Sequence, residues 1–203
     1  MTPNPQALGQ TPAQTLARFS LSRQAALVLA GTVVIALAAQ VSIPFFPVPM
    51  TLQTLAILGV GFAFGARLGA ITVVAYLLEG ALGAPVFANF GSTAALVGPT
   101  AGFLVGFVGL AFLAGLAVDR GIGSPVKLAL VAIAASLALY LPGLAWPMGA
   151  ASAMGVTVYG ADLAFADLAQ VFMLPFLPGD IVKAVLAAVL ASGGLKWLRA
   201  RGA

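Results

Sequence analysis

The sequence predicts an all-α integral membrane protein with six transmembrane helices and both termini on the cytoplasmic side. Composition, the placing of proline and the distribution of positive charge lead to that fold class. Of 203 residues, 62% are hydrophobic and 7% are charged, with a mean hydropathy of +1.11. A soluble domain carries roughly 25% charged residues, so this chain cannot cover itself with polar surface. Residues 24–66, 80–118 and 128–161 hold no charge at all, and each run exceeds the ~20 apolar residues that cross a bilayer.

Taken in order, residues 1–17 are rich in Pro, Gln and Thr and read as a disordered tail. Arg18 and Arg23 precede the apolar run 24–43 as in a signal peptide, but the run is longer than the ~7–15 residues of a signal core, so it reads as a retained first span. Prolines end helices or occupy their first turn. Beyond the tail they fall at 44, 47, 49, 85, 99, 125, 142, 147, 175 and 178. These positions outline helices over 22–43, 50–65, 68–84, 98–118, 126–146 and 176–197. The stretch 50–84 admits one long span or two short ones. One span would strand Arg67 near the bilayer centre, at roughly 2.5–3.5 kcal/mol. Two spans put "FGARLG" in a turn and place both chain ends on one side. Residues 18–203 then form one membrane domain.

In that arrangement Arg18, Arg23, Arg67, Arg120, Lys127, Lys196, Arg199 and Arg201 lie on the cytoplasmic side, while loops 44–49, 85–97 and 147–175 hold no Lys or Arg. This is the expected cytoplasmic bias of cations, and it argues for contact with membrane lipid rather than nucleic acid. Without cysteine or histidine, disulfides and thiol chemistry are excluded, and with only five scattered carboxylates no metal site is expected. Gly98, Gly102 and Gly106, extended by Ala111 and Gly115, have the small-residue spacing that lets helices approach closely; packing within the chain is the expected use.

Lys183 is the one cation that this topology leaves unexplained. Helix 6 enters near Pro178, so Lys183 lies about 7–8 Å below the outer entrance, and Asp180, three residues earlier, shares its face. One reading is a lysine that snorkels to the interface with Asp180 as partner. The other is a binding cavity, since intramembrane ionisable residues usually mark a ligand or ion path: the ammonium would hold an anion and the carboxylate would accept N–H bonds. Thr51 and Gln53 at the start of helix 2 are either further lining groups or helix-start polar residues. Asn89, between Phe87 and Phe90, is either an amide donor and acceptor for a ligand or a turn residue; the flanking aromatics suit an apolar ring. Glu79 has no assigned role. Asp162 and Asp167 read as part of a short amphipathic segment on the outer surface.

Three stretches carry a family resemblance: "VPMTLQTLAILGVGFAFGARLGA" (48–70), "YLLEGALGAPVFANFGSTAALVGPTAGFLVGF" (76–107) and "LPGDIVKAVLA" (177–187). From about residue 20 onward the chain resembles BioY, the biotin-specific substrate-binding component of energy-coupling-factor transporters. The resemblance implies six transmembrane helices with cytoplasmic termini in the bacterial plasma membrane, and a biotin site near the outer surface. The family's Asp-x-x-Lys element falls on Asp180 and Lys183, its loop asparagine on Asn89, and the alanine motif that meets the transmembrane coupling subunit on Ala26 and Ala30. Gln53, Thr51 and Phe87 are further expected binding residues. The chain has no phosphate-binding G-x-x-x-x-G-K-[ST] loop; the resemblance implies that cytoplasmic ATPase subunits supply the energy. No enzymatic activity and no cofactor are expected, with biotin as transported ligand. The alternative is a stand-alone ion-coupled vitamin carrier, with Glu79 or Asp180 as coupling group.

Overall fold

The computed structural model describes residues 11–159 and 161–201. Of the stretch expected to be disordered, residues 1–10 lie outside the described residues, and Pro12–Leu16 forms a short helix, α1. It is followed by α2 (Leu21–Gln40), a two-residue ladder of β1 (Ser42–Ile43) and β2 (Met50–Thr51), and α3 (Gln53–Ala81). The ladder is antiparallel, with Ser42 opposite Thr51 and Ile43 opposite Met50. Two 3₁₀ turns, Ala88–Phe90 and Thr93–Leu96, lead to α4 (Ala101–Asp119) and α5 (Pro125–Ala145). The chain continues through a π turn (Trp146–Ala150) into α6 (Ala151–Ala153), then α7 (Phe165–Phe172) and α8 (Leu177–Arg201). Among the described residues, five helical stretches are long and apolar enough to cross a membrane: Leu21–Gln40, Gln53–Ala81, Ala101–Asp119, Pro125–Ala153 and Leu177–Leu195.

The expected helices 50–65 and 68–84 are joined in α3, which is broken at Gly65 (φ 78°, ψ 176°). The chain reverses there. A Cβ on Gly69 would come 3.1 Å from Gly61 Cα, whereas eight residues of continuous helix would separate them by about 12 Å. At the far ends, Gln53 Nε2 donates to Tyr76 Oη at 2.9 Å. α3 is therefore a hairpin of two antiparallel arms. A positive φ is nearly free for glycine, and the small residues Gly61, Gly69, Ala111 and Gly115 let this hairpin press against α4. The break frees the Ala66 N–H, and Asp119 at the end of α4 accepts it through Oδ2 at 2.8 Å. A carboxylate there caps the second arm and faces the positive end of its dipole.

The main core runs between α3, α4, α5 and α8, with Phe62, Tyr76, Leu110 and Leu128 at its centre. The expected small-residue stripe serves packing on two sides. Gly102 and Gly106 lie against Pro142 and Leu139 of α5, and Gly115 lies against the Gly65–Ala66 backbone. α7 is amphipathic as expected: Leu168 and Phe172, four apart, are buried. They join Val48, Tyr140, Leu144 and Phe176 in a second, smaller core at the end of the bundle away from Gly65.

Candidate functional site

A cavity of about 160 Å³ opens at that end. Its polar wall comes from α8 and the start of α3. Asp180 and Lys183, one helical turn apart, both face the cavity and are each 7% exposed. Lys183 Nζ lies 2.7 Å from Asp180 Oδ1 and also donates to the main-chain oxygen of Thr51 at 3.2 Å. The Tyr140 hydroxyl of α5 donates to Asp180 Oδ2 at 2.5 Å. The carboxylate is thus held on both oxygens by two different helices. Each oxygen has about two lone-pair sites and an ammonium has three N–H groups. Asp180 therefore retains acceptor capacity on both oxygens, and Lys183 retains one N–H.

Gln53 and Thr51 also line the cavity, but much of their polar capacity is engaged. The Thr51 hydroxyl donates to Gln53 Oε1 at 2.8 Å and accepts from the Gln53 N–H at 3.2 Å. The Gln53 amide passes the chain on to Tyr76, whose hydroxyl donates to the Val86 carbonyl at 2.9 Å. These two residues fix the loop that follows α3 as well as bordering the cavity. Thr54, one residue further, lines the cavity with a buried hydroxyl that has no hydrogen-bond partner among the described residues.

That loop carries Phe87 and Asn89. Phe87 is 2% exposed, stands edge-on to Tyr76 at 5.2 Å between ring centroids, and rests over Gly80. Asn89 stands exposed at the rim, and its side-chain amide makes no hydrogen bond among the described residues. Asn89 and Phe90 both adopt left-handed backbone conformations, φ 55° and 56°. This costs a non-glycine residue about 1–2 kcal/mol, asparagine being the more tolerant type. Phe90 is 70% exposed and does not line the cavity, so the pair of aromatics flanking Asn89 does not enclose it. The apolar wall is built instead from Phe103 and Phe107 of α4, Phe172 of α7 and Phe176. Glu79 lies off the cavity. Ala26 and Ala30 are exposed on α2 and do not line the cavity.

Sequence reasoning missed Tyr140. Its one signal was a hydroxyl placed within the charge-free run 128–161, at about the depth of Lys183.

A sequence profile of the BioY family matches residues 10–200. The chain belongs to the BioY family. Among its relatives, the biotin transporter BioY of Thermotoga maritima is 37% identical over 164 residues, covering 79% of this chain and 88% of the relative. The biotin transporter BioY of Rhizobium etli is 36% identical, covering 81% and 87%. The probable biotin transporter BioY of Pyrococcus horikoshii is 34% identical, covering 84% and 94%. The fold is similar to a crystal structure described as the S-component for biotin from an ECF-type ABC transporter, with a TM-score of 0.71, 21% identity and coverage of 88% of this chain and 95% of that one. Like its BioY relatives, the chain is a multi-pass membrane transporter rather than an enzyme.

Proposed function

We propose that this chain is the biotin-capturing subunit, or S component, of an energy-coupling-factor transporter in a bacterial plasma membrane. The observation that carries this reading is a buried Asp180–Lys183–Tyr140 cluster lining the cavity, in a chain 37% identical to a biotin transporter. Biotin has a ureido group with two N–H donors and one carbonyl, a carboxylate, and an apolar bicycle. The unused lone pairs of Asp180 accept ureido N–H bonds. The free N–H of Lys183 serves the ureido carbonyl or the ligand carboxylate, and the unpartnered Asn89 amide adds a donor and an acceptor. Phe103, Phe107, Phe172 and Phe176 enclose the bicycle, and the Thr54 hydroxyl is a further available partner.

Counting the α3 hairpin as two crossings gives six, with both termini cytoplasmic and the cavity open to the outside. Arg67 at the hairpin bend, Arg120 after α4 and Lys127 at the start of α5 then share the cytoplasmic side, in keeping with the bias of cations. Exposed Ala26 and Ala30 on α2 form a flat face for a transmembrane coupling subunit, with cytoplasmic ATPase subunits beyond it.

Mass spectrometry of small molecules released from the purified protein should find biotin, and Asp180→Asn and Lys183→Met should each weaken its binding. Wild-type affinity in both variants would remove the assignment. Leucine at both Ala26 and Ala30 should abolish co-purification with the coupling subunit and spare biotin binding; intact assembly would refute that face.

A further inference from the structure

We infer that Gln40 is a positioning residue: from the end of α2, outside the cavity, it holds the turn that presents Asn89 to the ligand. This rests on the reading of the cavity as a biotin site. The Gln40 side chain grips the loop on both sides of Asn89. Its Nε2 donates to the Phe87 carbonyl at 3.0 Å and to Ala36 O of its own helix at 3.2 Å. Its Oε1 accepts the Phe90 N–H at 3.0 Å. Gln40 does not line the cavity, so these bonds act on the ligand only through the loop.

The turn needs such a hold. Two successive non-glycine residues in left-handed conformation persist only where the surroundings over-determine them, and among the described residues Asn89 has no side-chain hydrogen bond of its own to resist relaxation. Phe87 anchors the upstream end by packing on Tyr76 and Gly80. Downstream, Gly91 bonds within the turn, its N–H to Ala88 O and its carbonyl accepting the Phe87 N–H, and Thr93 Oγ1 donates to Gly80 O and Ala81 O of α3. Between these two anchored ends, Gln40 holds the left-handed pair itself, at the Phe90 N–H. A primary amide suits the task because it donates and accepts from one planar group. Glutamate at this position would keep the acceptor and lose the donor; leucine would lose both.

α2 is also the lightly embedded helix, burying only Gly31, Thr32, Ile35 and Ala39 among its twenty residues. The β1–β2 ladder and the Gln40 grip tie its last turn to the two loops that border the cavity. Whatever fixes Asn89 also fixes the end of α2, because coupling between two positions is reciprocal.

The test uses the full chain in detergent, with biotin as probe. Gln40→Leu should weaken biotin binding about tenfold or more, as loss of a coupled hydrogen-bonding unit does, mainly through faster dissociation, with Gln40→Glu intermediate. In ligand-free protein, Gln40→Leu should speed amide exchange at residues 88–91 and leave α4 unchanged. Because Gln40 acts through Asn89, Gln40→Leu should change affinity by less than about threefold in an Asn89→Ala background. Affinity within about twofold of wild type in both Gln40 variants, unchanged exchange at 88–91, or fully multiplicative effects in the double variant would overturn the assignment. If the wild-type protein fails to bind biotin, the proposed function fails, and the exchange measurement still decides whether Gln40 holds the turn.

Discussion

Replacing Lys183 alone should destabilise the protein more than replacing Lys183 and Asp180 together. The two charged groups lie 2.7 Å apart, and each residue is 7% exposed. At an effective dielectric constant of about 20, unit charges at that distance attract by roughly 6 kcal/mol. Desolvating two buried ions costs several kcal/mol each and offsets most of that attraction, so the intact pair is close to neutral for stability. Lys183→Met removes the attraction and leaves the carboxylate in place, with Tyr140 as its remaining donor among the described residues. The expected loss is about 3–5 kcal/mol. For a chain of this length that corresponds to a fall in Tm of about 6–20 °C. Asp180→Asn combined with Lys183→Met removes both charges and preserves an acceptor for Tyr140, so it should recover most of the loss. Thermal unfolding of the biotin-free variants in one detergent provides the comparison. A Lys183→Met protein as stable as wild type, or a double variant less stable than Lys183→Met, would refute the reasoning.

Four further outcomes follow from the structure. Gly80→Ala would set a methyl group 2.1 Å from Phe87 Cζ; displacing the ring should cost about 1–3 kcal/mol and weaken biotin binding, measured by titration calorimetry. Gly115→Val would drive a side chain to 2.2 Å from the Gly65 backbone and should prevent folding, whereas Gly109→Ala meets nothing within 4 Å and should raise stability by about 0.5–1 kcal/mol, both visible in expression and unfolding assays. Asp119→Ala strips the cap from Ala66 and should cost about 1 kcal/mol or more with biotin affinity unchanged, because Asp119 lies at the opposite end of the bundle from the cavity.

Most of the helical layout was legible in the sequence, because proline and charge mark the ends of apolar runs. The expected 126–146 and 176–197 lie close to the observed Pro125–Ala145 and Leu177–Arg201. The union of two expected helices in α3 was not legible in detail: a single glycine in left-handed conformation reverses the chain without interrupting the apolar run. At the site, Asp180 and Lys183 stood out because an ion pair within an apolar helix has few uses. Tyr140 did not, since its partner lies 40 residues away and no spacing rule joins them. Thr51 was named for its hydroxyl, yet Lys183 bonds to its carbonyl, a group that every residue possesses and no sequence pattern can single out. Gln40 was not singled out at all; its work is on a loop nearly fifty residues further on, which no local pattern reveals.

The first arm of α3, Gln53 to the break before Gly65, is twelve residues long and rises about 18 Å. The twenty residues of α2 rise about 30 Å, close to the thickness of a bilayer's hydrocarbon layer. A short rod standing among long ones leaves a recess above its tip, and Thr51, Gln53 and Thr54 sit at the floor of that recess. One extra helical turn inserted ahead of Gln53 would plug the recess with backbone, so the vacancy owes its existence to a deficit of length as much as to the side chains around it.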